Sequence, residues 1–207
     1  MQTIVLPTAY LPSLAYYVCL VRNRSVIIDI HEHYIKQTCR NRCYIYSANG
    51  ALPLVIPVHK STGNHTSVKD IQICYLQRWQ SNHWRAIESA YQSSPYFLYY
   101  KDELRYFYQT HYTFLADFNR ELLALLAGFL KTGVQPGYSM EYCIADASDR
   151  DLRNEPDFSD PYSYRFQPYH QVFQHRSGFI PNLSILDVLF NLGPESGEYA
   201  ERQDFFT

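Results

Sequence analysis

A basic segment near the start of the chain contains the side chains best suited to bind an anion. Lys36, Arg40 and Arg42 lie in the stretch DIHEHYIKQTCRNRC, although the whole chain has a formal net charge of -2. Their even separations put all three on one side of a strand or turn. Guanidinium groups match phosphate and carboxylate oxygens bidentately, lysine adds a point charge, and Asn41 adds an amide. We therefore predict an anion site at these four residues; the alternative is a charged, solvated strand edge.

Two histidines follow directly on an apolar run, residues 25–30, that is typical of a buried strand. His31 and His33 would then lie at the carboxyl end of that strand, where α/β proteins bind their ligands. We predict that one of them acts as a general base. Together with Asp29 they could also hold a metal ion, but this spacing is a weak metal motif and we predict no metal site.

Three further polar residues are candidates for the same site. His83, which precedes Trp84 in a predicted helix, is either a second acid/base or a capping residue. Tyr10 lies in the loop TAYLP, between the first predicted strand and the first predicted helix, where phosphate often binds at a helix N-terminus. Gln171 and His170 flank an aromatic stretch and are candidate ligand contacts.

The cysteines indicate reduced thiols. There are five, none in a Cys-x-x-Cys pair, so we expect neither disulfides nor a structural zinc site. Cys19 and Cys143 are expected in the core. Cys39, beside Arg40, would have a lowered thiol pKa if that charge faces it, so a nucleophilic Cys39 is an alternative. The sequence has no Gly-x-Ser-x-Gly elbow, P-loop or Gly-rich dinucleotide fingerprint, and no cofactor can be assigned.

The composition favours a cytoplasmic protein of one domain. The chain has 207 residues, with 20 tyrosines and 12 phenylalanines. Residues 1–60 have six cations against two carboxylates, whereas residues 141–207 have five arginines against twelve carboxylates. This asymmetry is too small for the dense basic face of a nucleic-acid-binding protein, so we expect no nucleic-acid partner. No apolar run is long enough to cross a bilayer, and the N-terminus lacks the features of a signal peptide.

The order of the elements predicts an α/β fold. A short buried strand over residues 3–7, a helix capped by Ser13 and a strand over residues 25–30 make a βαβ unit with a right-handed crossover. Asn49-Gly50 between two apolar runs predicts a hairpin over residues 42–58, which would make the sheet mixed. The predicted class is therefore a mixed, mainly parallel sheet with a Rossmann-like opening unit.

The remaining predicted elements are mostly helical. Helices over about 80–132, the first capped by Ser81, would form an insertion or subdomain within one domain spanning 1–207. The other predicted elements are a loop over 60–70, a strand over 71–76, a strand from MEYCIAD (140–146), a polar, mobile loop over 150–164, and a helix that begins at Ser184 and ends at Gly193-Pro194.

Four segments together resemble the WbqC-like family. They are LPTAYLPSLAYY, VIIDIHEHYIKQTCRNRCYIYSANGALPLVIPV, the pattern H-W-x-x-I-x-x-A-Y-x-S-S-P-Y-F, and YHQVFQHRSGFIPNLSILDVLFNLGP. The family is bacterial and is often encoded with genes of surface-polysaccharide (O-antigen) assembly. The resemblance implies a pathway and supplies no catalytic residues.

From the resemblance and the residues together we expect a transferase. It would move an acyl or aminoacyl group to a nucleotide-activated amino sugar. Its partners would be a phosphorylated or carboxylated small molecule, such as a nucleotide sugar or an acyl donor, and other enzymes of the pathway. The alternative is a non-catalytic binding or scaffold protein of the same pathway.

Overall fold

The structure, a computed structural model, describes residues 2–59 and 65–204. Its strands are β1 (Ile4–Pro7), β2 (Val26–Asp29), β3 (Arg42–Ser47), β4 (Gly50–Val55), β5 (Val58–His59), β6 (Gln72–Ile73), β7 (Gly137–Tyr138) and β8 (Arg150–Asp151). Its α-helices are α1 (Leu14–Arg22), α2 (Trp79–Tyr91), α3 (Phe97–Phe107), α4 (Leu115–Leu130), α5 (Gln174–Ser177), α6 (Ile185–Leu192) and α7 (Ser196–Arg202). Short 3-10 helices lie at Val68–Asp70, Pro156–Ser159 and Gly193–Glu195.

A four-stranded parallel sheet organises the fold, in the order β7-β2-β1-β8. β1 pairs with β2 from Ile4 opposite Val26, and with β8 from Ile4 opposite Arg150. The predicted βαβ opening and the α/β class are confirmed, and β2 lies inside the sheet. The chain runs from β1 to β2 on one side and returns later to β8 on the other side. This reversal of strand order lies between β1 and β8, and at such a point α/β proteins bind ligands beyond the carboxyl ends of the strands.

The N-termini of α1 and α6 bind each other's flanking segments. The amide of Leu14 donates to the carbonyl of Leu183 at 2.9 Å, and the amide of Ala15 donates to Asn182 Oδ1 at 2.9 Å. In return, Ile185 donates to the carbonyl of Pro12 at 2.8 Å. The first N–H groups of a helix have no partner within the helix, so each segment here supplies partners for the other. The predicted caps Ser13 and Ser184 are present on the two helices.

The hairpin is confirmed but forms its own sheet. β3 and β4 pair antiparallel from Arg42 opposite Val55 to Ser47 opposite Gly50. Gly50 has a φ of 95°, a conformation that favours glycine. The parallel sheet therefore stays parallel, which corrects the expectation that the hairpin would join it. Within the stretch 71–76 only Gln72–Ile73 is a strand, and it pairs with β5.

Two predictions in the last third of the chain are wrong. The strand predicted over 140–146 is absent; the strand in this region is β7, just before it, and Cys143 is half-buried outside any strand. The segment 150–164 is not a mobile loop throughout, because it contains β8 and the 3-10 helix Pro156–Ser159, with Leu152 and Phe158 buried. Both strands have only two residues, too few to give a periodic pattern. Of the loop predicted over 60–70, residues 60–64 lie outside the described residues.

The helices predicted over 80–132 are α2, α3 and α4. α2 begins at Trp79, before the predicted cap Ser81. Buried side chains of these helices belong to one hydrophobic cluster with those of β1, α1 and α6. The division of the chain into a domain and a helical subdomain stays a prediction. Within residues 2–59 and 65–204, no helix is both long and apolar enough to span a bilayer.

Candidate functional site

Asp29, at the carboxyl end of β2, is a fully buried hydrogen-bond acceptor. It lies at the edge of the parallel sheet that is formed by the carboxyl ends of the strands. Its Oδ2 accepts from Arg153 Nη1 at 2.7 Å and from the amide of Cys143 at 3.2 Å. Its Oδ1 accepts from Ser139 Oγ at 2.7 Å and from the amide of His31 at 2.9 Å. Asp29 thus connects the segments that follow β2, β7 and β8.

Arg153 lies just beyond β8 and binds two carboxylates. Besides Asp29, it binds Asp151 bidentately, with Nε 2.9 Å from Oδ1 and Nη2 2.6 Å from Oδ2. The hydrogen bonds from Arg153 lower the pKa of Asp151. The ring of Tyr142 lies over the guanidinium, with its centroid 4.7 Å from Cζ. The Arg153 head group is therefore fixed between carboxylates and an aromatic face.

Arg40, predicted as an anion ligand, is buried and bound to an internal carboxylate. Its Nε lies 2.8 Å from Glu32 Oε1 and its Nη2 lies 2.5 Å from Glu32 Oε2. The same guanidinium donates to Thr38 Oγ1 and to the carbonyl of Arg153. Burial raises the pKa of Glu32, and the hydrogen bonds and charge of Arg40 oppose that rise. Arg40 thus joins the segment after β2 to the segment after β8.

A cavity of about 210 Å³ lies at this edge; we call it the edge cavity. Its lining residues are Glu32, His33, Ile35, Tyr142, Asp151, Arg153 and Asn154. A second cavity, of about 230 Å³, adjoins it and shares Ile35, Arg153 and Asn154. The edge cavity combines carboxylate acceptors, an imidazole and a half-exposed aromatic ring. Such a set can bind hydroxyl and amino groups and can accept a proton.

His33 lines the edge cavity, whereas His31 does not. The backbone of His33 pairs with that of Ser67, and its exposed ring lies edge-on to the ring of His65, with the centroids 5.1 Å apart. His31 is half-buried and is held through its amide by Asp29. The geometry therefore favours His33 over His31 as the base, and the role itself stays a prediction.

His83 and Tyr10 lie together in the core, away from the edge cavity. His83 Nδ1 is 2.9 Å from the Tyr10 hydroxyl, which is also 2.9 Å from the Tyr108 hydroxyl. Burial lowers the pKa of His83 to about 4, although a hydrogen bond to the backbone of Val55 raises it. A neutral, buried imidazole of this kind suits a structural role. We expected phosphate to bind beside Tyr10 at the N-terminus of α1. The first amides of α1 are instead bound by the segment before α6.

Gln171 is fully buried with its amide group bound by protein atoms. Its Nε2 donates to Asp187 Oδ2 at 2.8 Å and to the carbonyl of Ile180 at 2.9 Å, and its Oε1 accepts from the amide of Ile180. Tyr169 donates to the same Asp187 oxygen at 2.6 Å. Burial raises the pKa of Asp187 to about 6, against the lowering effect of these donors. This arrangement favours a structural role for Gln171.

Of the four side chains predicted to form one anion clamp, the structure turns Arg40 away from the others. Lys36 and Asn41 line a third cavity, whereas Arg40 is turned inward to Glu32. Arg42 lies at the start of β3 and is partly buried. Tyr10 does not line this cavity, so the expectation that at least two of the cationic head groups converge on a cavity beside Tyr10 is not met. A role for Lys36, Asn41 and Arg42 in ligand binding stays a prediction.

The alternative of a nucleophilic Cys39 assumed a lowered thiol pKa, and this assumption is wrong. Cys39 is buried, and burial raises the pKa of its thiol to about 12 despite the charge of Arg40. Among the described residues, no group of three or more His, Cys, Asp or Glu side chains is placed to hold a metal ion.

Sequence reasoning missed Tyr142, Asp151 and Arg153. They lie in segments that the sequence predicts to be a strand and a loop, and Asp29, the second carboxylate bound by Arg153, is 124 residues away in the sequence. The alternation Asp-x-Arg at 151–153 was the available signal, because it puts opposite charges two residues apart on one side of an extended segment.

Comparison with known proteins identifies the family of this chain. The model of the WbqC-like protein family matches residues 8–155 and 155–199. The chain is similar to the uncharacterized protein Rv1507c of Mycobacterium tuberculosis (strain ATCC 25618 / H37Rv). The two are 26% identical over 221 residues, which cover 94% of this chain and 95% of that protein. No solved structure matches the chain.

Proposed function

The chain belongs to the WbqC-like protein family, and we propose that it is a cytoplasmic transferase of bacterial surface-polysaccharide assembly. It moves an acyl or aminoacyl group to the amine of a nucleotide-activated amino sugar. The observation that carries this proposal is the edge cavity. There, His33 lies beside carboxylates and an aromatic ring at the carboxyl ends of parallel strands.

The charge of the edge cavity suits an amino sugar as the acceptor. Glu32, Asp29 and Asp151 outnumber the two arginines that bind them, so the surroundings have an excess of negative charge. Sugar hydroxyl and amino groups are donors, and carboxylates accept from them. The ring of Tyr142 is 54% exposed and offers an apolar face to a sugar ring.

His33 acts as the general base. Its imidazole takes a proton from the sugar amine while the amine nitrogen forms a bond to the acyl carbon. The bond from that carbon to the donor's leaving sulfur or oxygen then breaks, and His33 returns the proton to the leaving group. Proton transfer by a positioned side chain contributes about 100-fold or more to a rate.

The experiment is a product assay on the purified chain. Acyl-CoA and aminoacyl donors are combined with nucleotide-activated amino sugars, and the mass of the acylated sugar is measured. We expect one pair to give product and His33→Gln to lower the rate about 100-fold. His175→Gln, at an exposed histidine of α5, is the control and leaves the rate unchanged. No product from any pair, or equal rates in the two variants, would contradict the proposal.

Two observations favour the alternative, a non-catalytic scaffold protein of the same pathway. Arg40 is bound to an internal carboxylate, and one side of α3 exposes Leu98, Tyr99 and Tyr106 by 67%, 76% and 61%. Such a surface could bind a partner enzyme. In cells that need this protein for surface polysaccharide, replacing all three by serine would then abolish the product, whereas His33→Gln would not. The transferase predicts the opposite pattern.

A further inference from the structure

A cavity of about 360 Å³ lies between the hairpin and the segment that follows β2; we call it the hairpin cavity. Its polar lining residues are Tyr34, Lys36, Gln37 and Asn41, and its apolar lining is residues 55–58. The segment between the two cavities alternates: His33 and Ile35 line the edge cavity, whereas Tyr34 and Lys36 line the hairpin cavity. The two cavities are therefore on opposite sides of one extended segment.

Lys36 lines the hairpin cavity, and Arg42 follows directly on Asn41, which also lines it. Neither Lys36 nor Arg42 has an ion pair with any described residue, and Arg42 Nε is buried without a hydrogen-bond partner. Arg42 lies directly opposite Val55 on the hairpin, so both side chains are on the same face, and Val55 lines the cavity. In contrast, Arg40 and Arg153 are each bound to a carboxylate.

The side-chain oxygen of Asn41, which lines the same cavity, lacks a hydrogen-bond donor among the residues that the structure describes. Asn41 is 5% exposed, and its Nδ2 donates to the carbonyl of Ile56 at 2.9 Å. Its Oδ1 is buried without a hydrogen-bond partner among the described residues. An unpaired buried acceptor is costly, and few persist in native structures without a ligand, water or function to explain them.

We propose that the hairpin cavity binds a small molecule that has a carboxylate or phosphate next to a hydroxyl group, such as a sugar acid or a sugar phosphate. Arg42 and Lys36 bind the anion, and the ligand hydroxyl donates to Asn41 Oδ1. The pairing follows from chemistry, because the cations need an acceptor while the amide oxygen needs a donor. This binding does not rest on the proposed transfer reaction.

Calorimetric titration of the full chain tests the site with four probes: inorganic phosphate, glucose 6-phosphate, glucuronate and cyclohexanecarboxylate. We expect saturable binding of glucose 6-phosphate or glucuronate. Cyclohexanecarboxylate, which has the ring and the anion without hydroxyls, should bind at least tenfold more weakly than glucuronate if the carboxylate is the ligand. If the phosphate is the ligand, inorganic phosphate should bind at least tenfold more weakly than glucose 6-phosphate.

Matched variants locate the binding. Arg42→Gln and Lys36→Gln should each weaken it about tenfold or more, whereas Arg85→Gln, at an exposed cation of α2, should leave it unchanged. Lys36 is exposed, so its variant keeps the test valid if Arg42→Gln fails to fold. No saturable binding of any probe, or an equal effect of Lys36→Gln and Arg85→Gln, would overturn the proposal. His33→Gln should retain binding, which separates this site from the edge cavity.

Discussion

Arg40 and Glu32 form a buried, bidentate ion pair, with Nε 2.8 Å from Oε1 and Nη2 2.5 Å from Oε2. Their side chains are 1% and 6% exposed. The pair joins the two ends of the segment between β2 and β3. Arg40 also donates to the carbonyl of Arg153 and so binds the segment after β8. A basic residue that looks like a ligand in the sequence is here part of the framework of the edge cavity.

Replacing Arg40 by alanine should destabilise the protein strongly. The change leaves Glu32 buried without its counter-ion, and breaking a buried pair on one side costs about 3–5 kcal/mol. We expect a loss of this size in the free energy of unfolding, measured by urea denaturation. The control is Arg42→Gln, which removes no ion pair with a described residue and should cost less than about 1 kcal/mol.

A combined variant checks the cause of that loss. Glu32→Gln together with Arg40→Met removes both charges, so it should recover most of the stability lost in Arg40→Ala. If Arg40→Ala unfolds at the urea concentration of the unchanged protein, the ion pair is not structural.

The sequence predicted the elements that have strong local signals. Residues 3–7 and 25–30 are apolar runs on either side of a helix capped by Ser13, and Asn49-Gly50 selects a tight hairpin turn. These patterns decide the local structure because each signal and its effect lie within a few residues.

The edge cavity could not be predicted because its contacts join distant segments. Arg153 and Asp29 are 124 residues apart, and β7 and β8 are too short to give a pattern. Even the nearby pair Glu32 and Arg40 depends on a chain reversal that includes Gln37, whose φ is 60°. A basic cluster in a sequence does not reveal which of its members meets an internal carboxylate.

Asn182→Ala should weaken the contact between the N-termini of α1 and α6. The side chain accepts from the amide of Ala15 and donates to the carbonyl of Asp160 at 2.8 Å. Leaving the buried amide of Ala15 and the part-buried carbonyl of Asp160 without these partners should cost about 1–3 kcal/mol in the free energy of unfolding. Asn82→Ala, at an exposed asparagine of α2, is the control for urea denaturation. Equal stability of the two variants would show that other contacts hold the two N-termini together.

Asp187 should make the protein less stable as the pH rises. Burial raises its folded pKa to about 6 from 3.8, so the folded state holds a proton that the unfolded state releases between these values. The stabilisation by that proton is complete below about pH 4 and is lost as the pH rises through 6. About two pKa units correspond to about 3 kcal/mol. Relative to the unchanged protein, Asp187→Asn should therefore gain about 3 kcal/mol between pH 4 and pH 7, measured by urea denaturation at each pH.

His83 should have the opposite effect in almost the same pH range. Burial lowers the pKa of His83 in the folded state to about 4 from 6.5. Between these pH values the unfolded state therefore binds a proton at His83 and the folded state does not. Its stabilisation is complete above about pH 6.5 and is lost as the pH falls through 4, a change of about 3 kcal/mol. His83→Gln should remove this loss, so its deficit against the unchanged protein should shrink by that amount on acidification. Because His83 and Asp187 oppose each other, each single variant should show a steeper pH dependence between 4 and 6 than the unchanged protein. The double variant should return to a shallow dependence, and a steep one would show that other groups dominate the titration.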